Sequence, residues 1–352
     1  MLYRCAPLRA PAADAAGGSV VRGPKGKSRV VDLHCHLESA RAAKLMSDPK
    51  YRPFALGNEL TREVNRKQMA AIRPQMESVE RRLADMDKMG VDIQAVSSAP
   101  YFFFYNAEPE LGRQSAQLVN EDIGALCAKH PDRFVGLGVL PLQNTEMAVG
   151  ELVRCVKELG LRGVEIGTHV EGEELSSPRL APLWAKLEEL DVVVFMHPSG
   201  ISHPQRLLDH YLSNILGNPL ESMLAVSHLI FDGVLERHSG LKLVIAHGGG
   251  YLPAYAGRQD HGWHAREDVR IGLPKPPSEY LKRLYFDTMV FEADQLTFLI
   301  EKYGADHIVL GTDYPYDMGH YTPLDLIGEV ADLSAADAAA VSGGNAARLL
   351  KL

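Results

Sequence analysis

The segment RVVDLHCH, residues 29–36, is a short apolar run that ends on two histidines spaced one residue apart, and its design recurs along the chain. Residues 192–198 read VVVFMHP, residues 241–250 read LKLVIAHGGG, and residues 307–315 read HIVLGTDYP. Each is an apolar run of strand length that delivers a histidine or an aspartate just before a Pro or Gly punctuation. Working outward with the same criterion predicts eight strands, at 29–34, 91–97, 134–140, 163–167, 192–197, 241–247, 284–288 and 307–311. Between them lie amphipathic stretches of helical period, at 77–89, 114–129, 146–159, 180–190, 221–237 and 294–303.

Alternating strand and helix is the pattern of repeated βα units on a parallel sheet. Eight such strands predict an α/β fold of the closed (β/α)8 TIM-barrel class, with a doubly wound open sheet as the alternative topology. The chain of 352 residues is within the size of one such barrel. We expect a single domain over residues 29–352, preceded by a disordered tail over residues 1–28. That leader is rich in Ala, Gly and Pro and lacks an apolar core of the kind a secretory signal needs. Its basic, acid-poor composition leaves an organellar transit peptide as the other reading. Two connections are long, 37–76 after the first strand, read as a loop insertion, and 198–219 after the fifth. In a barrel, connections leaving strand C-termini build the active-site mouth.

Bulk composition excludes several function classes. A net charge of -8 offers no general attraction to nucleic acid or anionic lipid, so neither is an expected partner. No apolar run approaches the roughly 18 residues of a membrane span. Four cysteines without a C-x-x-C spacing are too few to staple a chain of this length, which points to a reducing, cytoplasmic setting.

The chemistry sits at the strand ends. His34 and His36, at i and i+2, project to one face of the first strand, and Cys35 then points outward to pack against helices. The fifth strand ends on His197, the sixth on His247, and the eighth runs through Gly311 and Thr312 to Asp313. The C-termini of strands one, five, six and eight thus bring imidazoles and a carboxylate to the face where barrel active sites assemble. Such donors suit Zn(II) first and Mn(II) second, with room for a water whose pKa the metal lowers. No lysine lies in the fourth strand to supply a bridging carbamate, so one divalent metal per subunit is expected, held by His34, His36, His197 and Asp313. His247 then serves as general acid/base, or else as a fifth ligand; its distance from the cluster decides between these.

Further stretches carry a family likeness: DLHCH at 32–36, FVGLG at 134–138, CVKELG at 155–160, IGTHV at 166–170, His197-Pro198, AHGGG at 246–250, Gly257-Arg258, His261-Gly262 and GTDYP at 311–315. In this set and order the chain resembles the amidohydrolase-related decarboxylases typified by aminocarboxymuconate semialdehyde decarboxylase. The resemblance covers almost the whole barrel and implies the same four ligands, with His247 as the catalytic acid/base. It also implies that Arg258 binds a substrate carboxylate in a neighbouring subunit's site, hence a homodimer, and that Tyr211 and Tyr316 line the pocket. Two departures stand out. Ser199 replaces the tryptophan that follows His-Pro in the type enzyme, and residues 39–74 do not align, leaving Arg62, Arg66 and Arg73 as candidates for a second substrate clamp.

The resemblance implies a metal-dependent non-oxidative decarboxylase acting on a small unsaturated or aromatic carboxylic acid, with the metal-bound water activated by His247. The strand-end residues alone serve equally a hydrolase or hydratase acting on a lactone, amide or unsaturated acid. A purely structural metal would not need an open position beside a free histidine.

Overall fold

The computed structural model describes residues 29–51, 56–202 and 204–352. The tail expected over residues 1–28 lies outside them. Eight parallel strands form one sheet in sequence order: β1 (Val31–Leu37), β2 (Ile93–Ser98), β3 (Phe134–Val139), β4 (Gly163–Ile166), β5 (Val193–Met196), β6 (Lys242–Ile245), β7 (Tyr285–Asp287) and β8 (Ile308–Val309). The ring closes where the Leu33 amide donates to the Leu310 carbonyl at 2.9 Å and Cys35 bridges to Tyr314. Closure excludes the open sheet. A small hairpin, His169–Val170 with Glu173–Glu174, sits apart from the ring.

Strands buried on both faces read as continuous apolar runs, and the core divides accordingly. Inside the barrel, Val31, Leu33, Ile93, Leu137, Phe195 and Val244 pack with Leu349 and Leu350. Those two leucines belong to the terminal helix Asn345–Leu350, which packs against this interior layer. Outside, a second cluster joins the strands' other faces to the helices, and Cys35 belongs to it as expected.

The first strand departs from simple alternation. Leu33 and His34 both face the interior, because the pairing register with β2 shifts between Asp32 and Cys35. A bulge of this kind re-aims a side chain, and here the Asp32 carboxylate accepts the diverted His34 amide at 3.1 Å. His34 and His36 consequently lie within the strand, which extends to Leu37 rather than ending at 34.

The connection 37–76 is a correction to the expected loop. It holds a short helix, Ala40–Leu45, and a 19-residue helix, α1 (Glu59–Glu77). Asn58 caps α1 by accepting the Thr61 amide at 2.9 Å. Only Thr61, Ile72 and Met76 of α1 are buried, so the helix lacks a wide apolar stripe. The next helix, α2 (Val79–Met89), starts on Ser78 and ends on left-handed Gly90. The remaining crossovers include α3 (Pro109–Lys129), α4 (Thr145–Lys157), α5 (Ala181–Leu190), α6 (Asn218–Phe231), α7 (Leu252–Ala265) and α8 (Ala293–Tyr303). The helix expected at 221–237 breaks at left-handed Gly233.

Candidate metal centre and active site

The four predicted ligands converge. His34, His36, His197 and Asp313 are buried, and their donor atoms lie within 4.8 Å of one another. His34 Nε2 and His36 Nε2 are 3.1 Å apart and lie 3.3 and 3.1 Å from Asp313 Oδ1. The backbone reaches this arrangement at some cost: Asp313 and His247 both hold left-handed φ angles, +52° and +57°.

Each ring is fixed by what its other nitrogen meets. His36 Nδ1 donates to the Ser98 carbonyl at 2.9 Å, and His197 Nδ1 to the Pro198 carbonyl at 2.8 Å. His34 Nδ1 meets Asp287 Oδ2 at 2.6 Å. With Nδ1 engaged by acceptors in all three, each Nε2 is aimed at the same point, where it offers a lone pair once deprotonated. His197 Nε2 and Asp313 Oδ1 are buried without a hydrogen-bond partner among the described residues. Three imidazole nitrogens and a carboxylate so disposed fit a divalent cation.

The electrostatics agree. Burial would push the His34 pKa down, but Asp313 and Asp287 outweigh it and hold it up at about 10. Burial would raise the Asp313 carboxyl, and the surrounding histidines hold it well below the usual range instead. Burial holds the His36 pKa down and the His197 pKa well down, so the one positive charge the cluster favours sits on His34, between the two carboxylates.

His247 stands beside this cluster and outside it. Its Nε2 is 3.7 Å from Asp313 Oδ2, and its Nδ1 is without a partner among the described residues. It faces a cavity of about 780 Å³, also lined by Glu38, Arg73, Ser199, Tyr211 and Tyr316. The Tyr316 ring lies 5.5 Å from that of His36 and its hydroxyl has no partner among the described residues. Burial and then the Asp313 charge push that phenol's pKa well above its ordinary value. The glycine run after His247 has a steric reason at Gly250: φ is +59°, and a Cβ there would meet the Pro219 carbonyl.

The arginines separate. Arg62 donates to the Gly57 carbonyl at 2.8 Å, and Arg66 pairs with Glu63 on the exposed side of α1. Arg73 alone of the three reaches the cavity wall, 3.2 Å from Glu77. Arg258 is exposed on α7 and does not line this cavity.

Comparison with known proteins fits this geometry. The model of the amidohydrolase family matches residues 31–352, nearly the whole chain. The chain belongs to the amidohydrolase family. This amidohydrolase is 38% identical over 272 residues to a 2-amino-3-carboxymuconate-6-semialdehyde decarboxylase of Dictyostelium discoideum, covering 77% of the chain and 76% of that protein. It is 30% identical over 291 residues to a gamma-resorcylate decarboxylase of Rhodococcus jostii, covering 77% and 87%. The solved 5-carboxyvanillate decarboxylase of Sphingomonas paucimobilis superposes with a TM-score of 0.82 at 26% identity, over 93% of the chain and all of that structure.

Sequence reading missed a residue at the centre of the amidohydrolase site. Asp287, the last residue of β7, binds the His34 ring and accepts the amides of His247 at 3.0 Å and Gly248 at 2.7 Å. One carboxylate thus orients a predicted ligand and the backbone of the predicted acid/base. Its position at a strand end was the available signal. Two more buried groups went unread. Arg82 of α2 donates to the His36 carbonyl and packs on the Tyr314 ring, and Glu165 of β4 lies 3.7 Å from His36 Nδ1 with its carboxyl pushed well up by burial.

Asp287→Asn is expected to weaken metal binding by about 10- to 100-fold while the barrel stays folded, since groups behind a ligand typically contribute that much. Competition against a chelator of known affinity measures it. Unchanged affinity would mean that Asp287 serves the His247 backbone alone.

Proposed function

We propose that this amidohydrolase is a metal-dependent non-oxidative decarboxylase of an unsaturated or aromatic carboxylic acid. The observation that carries this reading is His247, a histidine outside the donor cluster, adjacent to it, and facing the cavity. The relatives' shared chemistry supports it, as the three compared are all named decarboxylases. His34, His36, His197 and Asp313 are the proposed ligands, for Zn(II) first and Mn(II) second by donor type. Bound there, such a metal supplies Lewis acidity and lowers the pKa of water.

The chain's own groups do the rest. His247 Nε2, on the Asp313 side of its ring, is the atom that gives up a proton to the carbon losing its carboxylate. The electron pair of the breaking carbon-carbon bond stays on that carbon and takes the proton, and carbon dioxide leaves. Tyr316 and Tyr211 form cavity wall, and Arg73 supplies a cation there for substrate carboxylate. Release of carbon dioxide from aromatic and muconate-type acids by the metal-loaded protein tests the reading. Cleavage of lactones or amides without carbon dioxide would establish the hydrolase instead.

Assembly is part of the proposal. Leu216, Leu220 and Leu224, at i, i+4 and i+8, are large exposed apolar residues along α6 and the turn before it. Gln259 of α7 donates to Ser227 of α6 at 2.9 Å, which sets exposed Tyr255 and Arg258 alongside that stripe. An apolar ridge of this kind suits a symmetric homodimer in which Arg258 completes the second copy's site. Mixing inactive Arg258→Ala and inactive His247→Asn subunits is then expected to restore about a quarter of the wild-type rate, because half the dimers are mixed and each holds one intact site. No recovery after verified subunit exchange would place Arg258 outside the partner's site. Buried or partly buried free thiols at Cys35, Cys127 and Cys155 suit a cytoplasmic setting.

A further inference from the structure

The segment after the metal-ligand pair continues its spacing: His34, His36 and Glu38 stand at i, i+2 and i+4. Glu38 follows the last residue of β1, so its side chain leaves the same face of the strand as the two histidines. It is partly buried and lines the cavity that holds His197, His247 and Asp313. One of its oxygens, Oε1, accepts the Tyr101 hydroxyl. Oε2 has no hydrogen-bond partner among the described residues. On the same wall, the Tyr316 hydroxyl is buried and also without one among them.

A carboxylate only accepts, whereas a phenol hydroxyl both donates and accepts. An unpaired carboxylate oxygen in the cavity wall, beside a buried phenol, makes a site for a group that can give a hydrogen bond. A hydroxyl or an amino group does this; a methyl, a fluorine or a carboxylate does not.

We propose that Glu38, with Tyr316, is the specificity determinant of this site, selecting acids that carry a hydroxyl or amino group by accepting its hydrogen bond at Oε2. The inference rests on the reading of the cavity as a site for carboxylic acids. It adds that the preferred acid bears a hydrogen-bond donor, and it assigns the residue that reads it. Leaving Glu38 unpaired in a partly buried site penalises an acid that lacks the donor, which makes the selection one of exclusion as well as attraction.

Equilibrium binding, rather than turnover, tests this on the metal-loaded protein. The probes are benzoate and its 3- and 4-substituted hydroxy, amino, methyl and fluoro derivatives, titrated calorimetrically. The wild type is expected to bind the hydroxy or amino acid roughly 10- to 100-fold more tightly than the methyl or fluoro acid at one ring position at least. Glu38→Ala is expected to bring that ratio to about 1 without weakening the methyl acid. Glu38→Gln, which keeps the shape and a neutral acceptor, is expected to reduce it several-fold, because a charged acceptor bonds roughly twice as strongly. Tyr101→Phe, which leaves Oε2 in place, keeps the preference. A role confined to holding Tyr101 would lower all affinities together and leave the ratio as it was. Wild-type binding without preference for the donor, or a preference that survives Glu38→Ala, overturns the inference and leaves the decarboxylase reading standing. Failure of the wild type to bind any of these acids overturns both.

Discussion

His247→Asn is expected to retain its metal and to turn over about 100- to 10,000-fold more slowly than the wild type, the usual contribution of a positioned acid/base. Asparagine is the informative replacement because His247 holds φ at +57°, a left-handed conformation that asparagine adopts more readily than most residues. The His247 amide bond to Asp287 belongs to the backbone and survives the substitution. Loss in the variant therefore reports the imidazole. His247 Nε2 is 3.7 Å from Asp313 Oδ2, outside the cluster of four converging donors, so metal content is expected to hold. Elemental analysis and kcat on the same preparation separate the outcomes. A variant that loses metal along with activity would make His247 a fifth ligand.

His34→Ala and Asp313→Asn are expected to abolish activity through loss of the metal, with the barrel intact. Removing His34 takes away one of three converging Nε2 donors, and Asp313→Asn removes the only carboxylate among the four converging donors. Asp313 lies outside the interior apolar cluster of Leu33, Leu137, Phe195 and Val244, and His34→Ala gives up only the edge contact of its ring with Phe195, so most of the packing that closes the barrel is kept. The expected result is a far-ultraviolet circular dichroism spectrum like the wild type's with no stoichiometric metal by elemental analysis. A full metal equivalent in either variant would contradict the assignment of that ligand.

What was legible in the sequence follows from the physics of a parallel barrel. Strands buried on both faces must be apolar, so the 192–196 and 243–246 runs announced themselves. A polar residue at the end of such a run has nowhere to go but the rim, which made His197, His247 and Asp313 readable. His34 and His36 were readable as a pair, but the bulge that turns His34 inward beside Leu33 was not, since nothing local marks a register shift set by the neighbouring strand. Asp287 obeys the same strand-end logic, yet a lone aspartate before Thr288 gives no sign of the histidine 253 positions earlier that it orients. Helix α1 stayed hidden for a different reason. With only Thr61, Ile72 and Met76 buried, it shows almost no apolar stripe, and its cues were the Asn58 cap and the i, i+4 pairs of Glu63 with Lys67 and Arg73 with Glu77. Without that helix, Arg73 could not be told from Arg62 or Arg66.

Proton delivery to carbon with loss of carbon dioxide is what separates this chemistry from hydrolysis, and reaction in deuterium oxide reads it. Metal-loaded protein is incubated with hydroxy- and aminobenzoic acids and with muconate-type acids, and products are read by mass spectrometry and proton magnetic resonance. One carbon dioxide is expected for each acid consumed, with one deuterium on the carbon that carried the carboxylate. Products that keep every carboxylate and gain oxygen from labelled water, with no new carbon-deuterium bond, would contradict it.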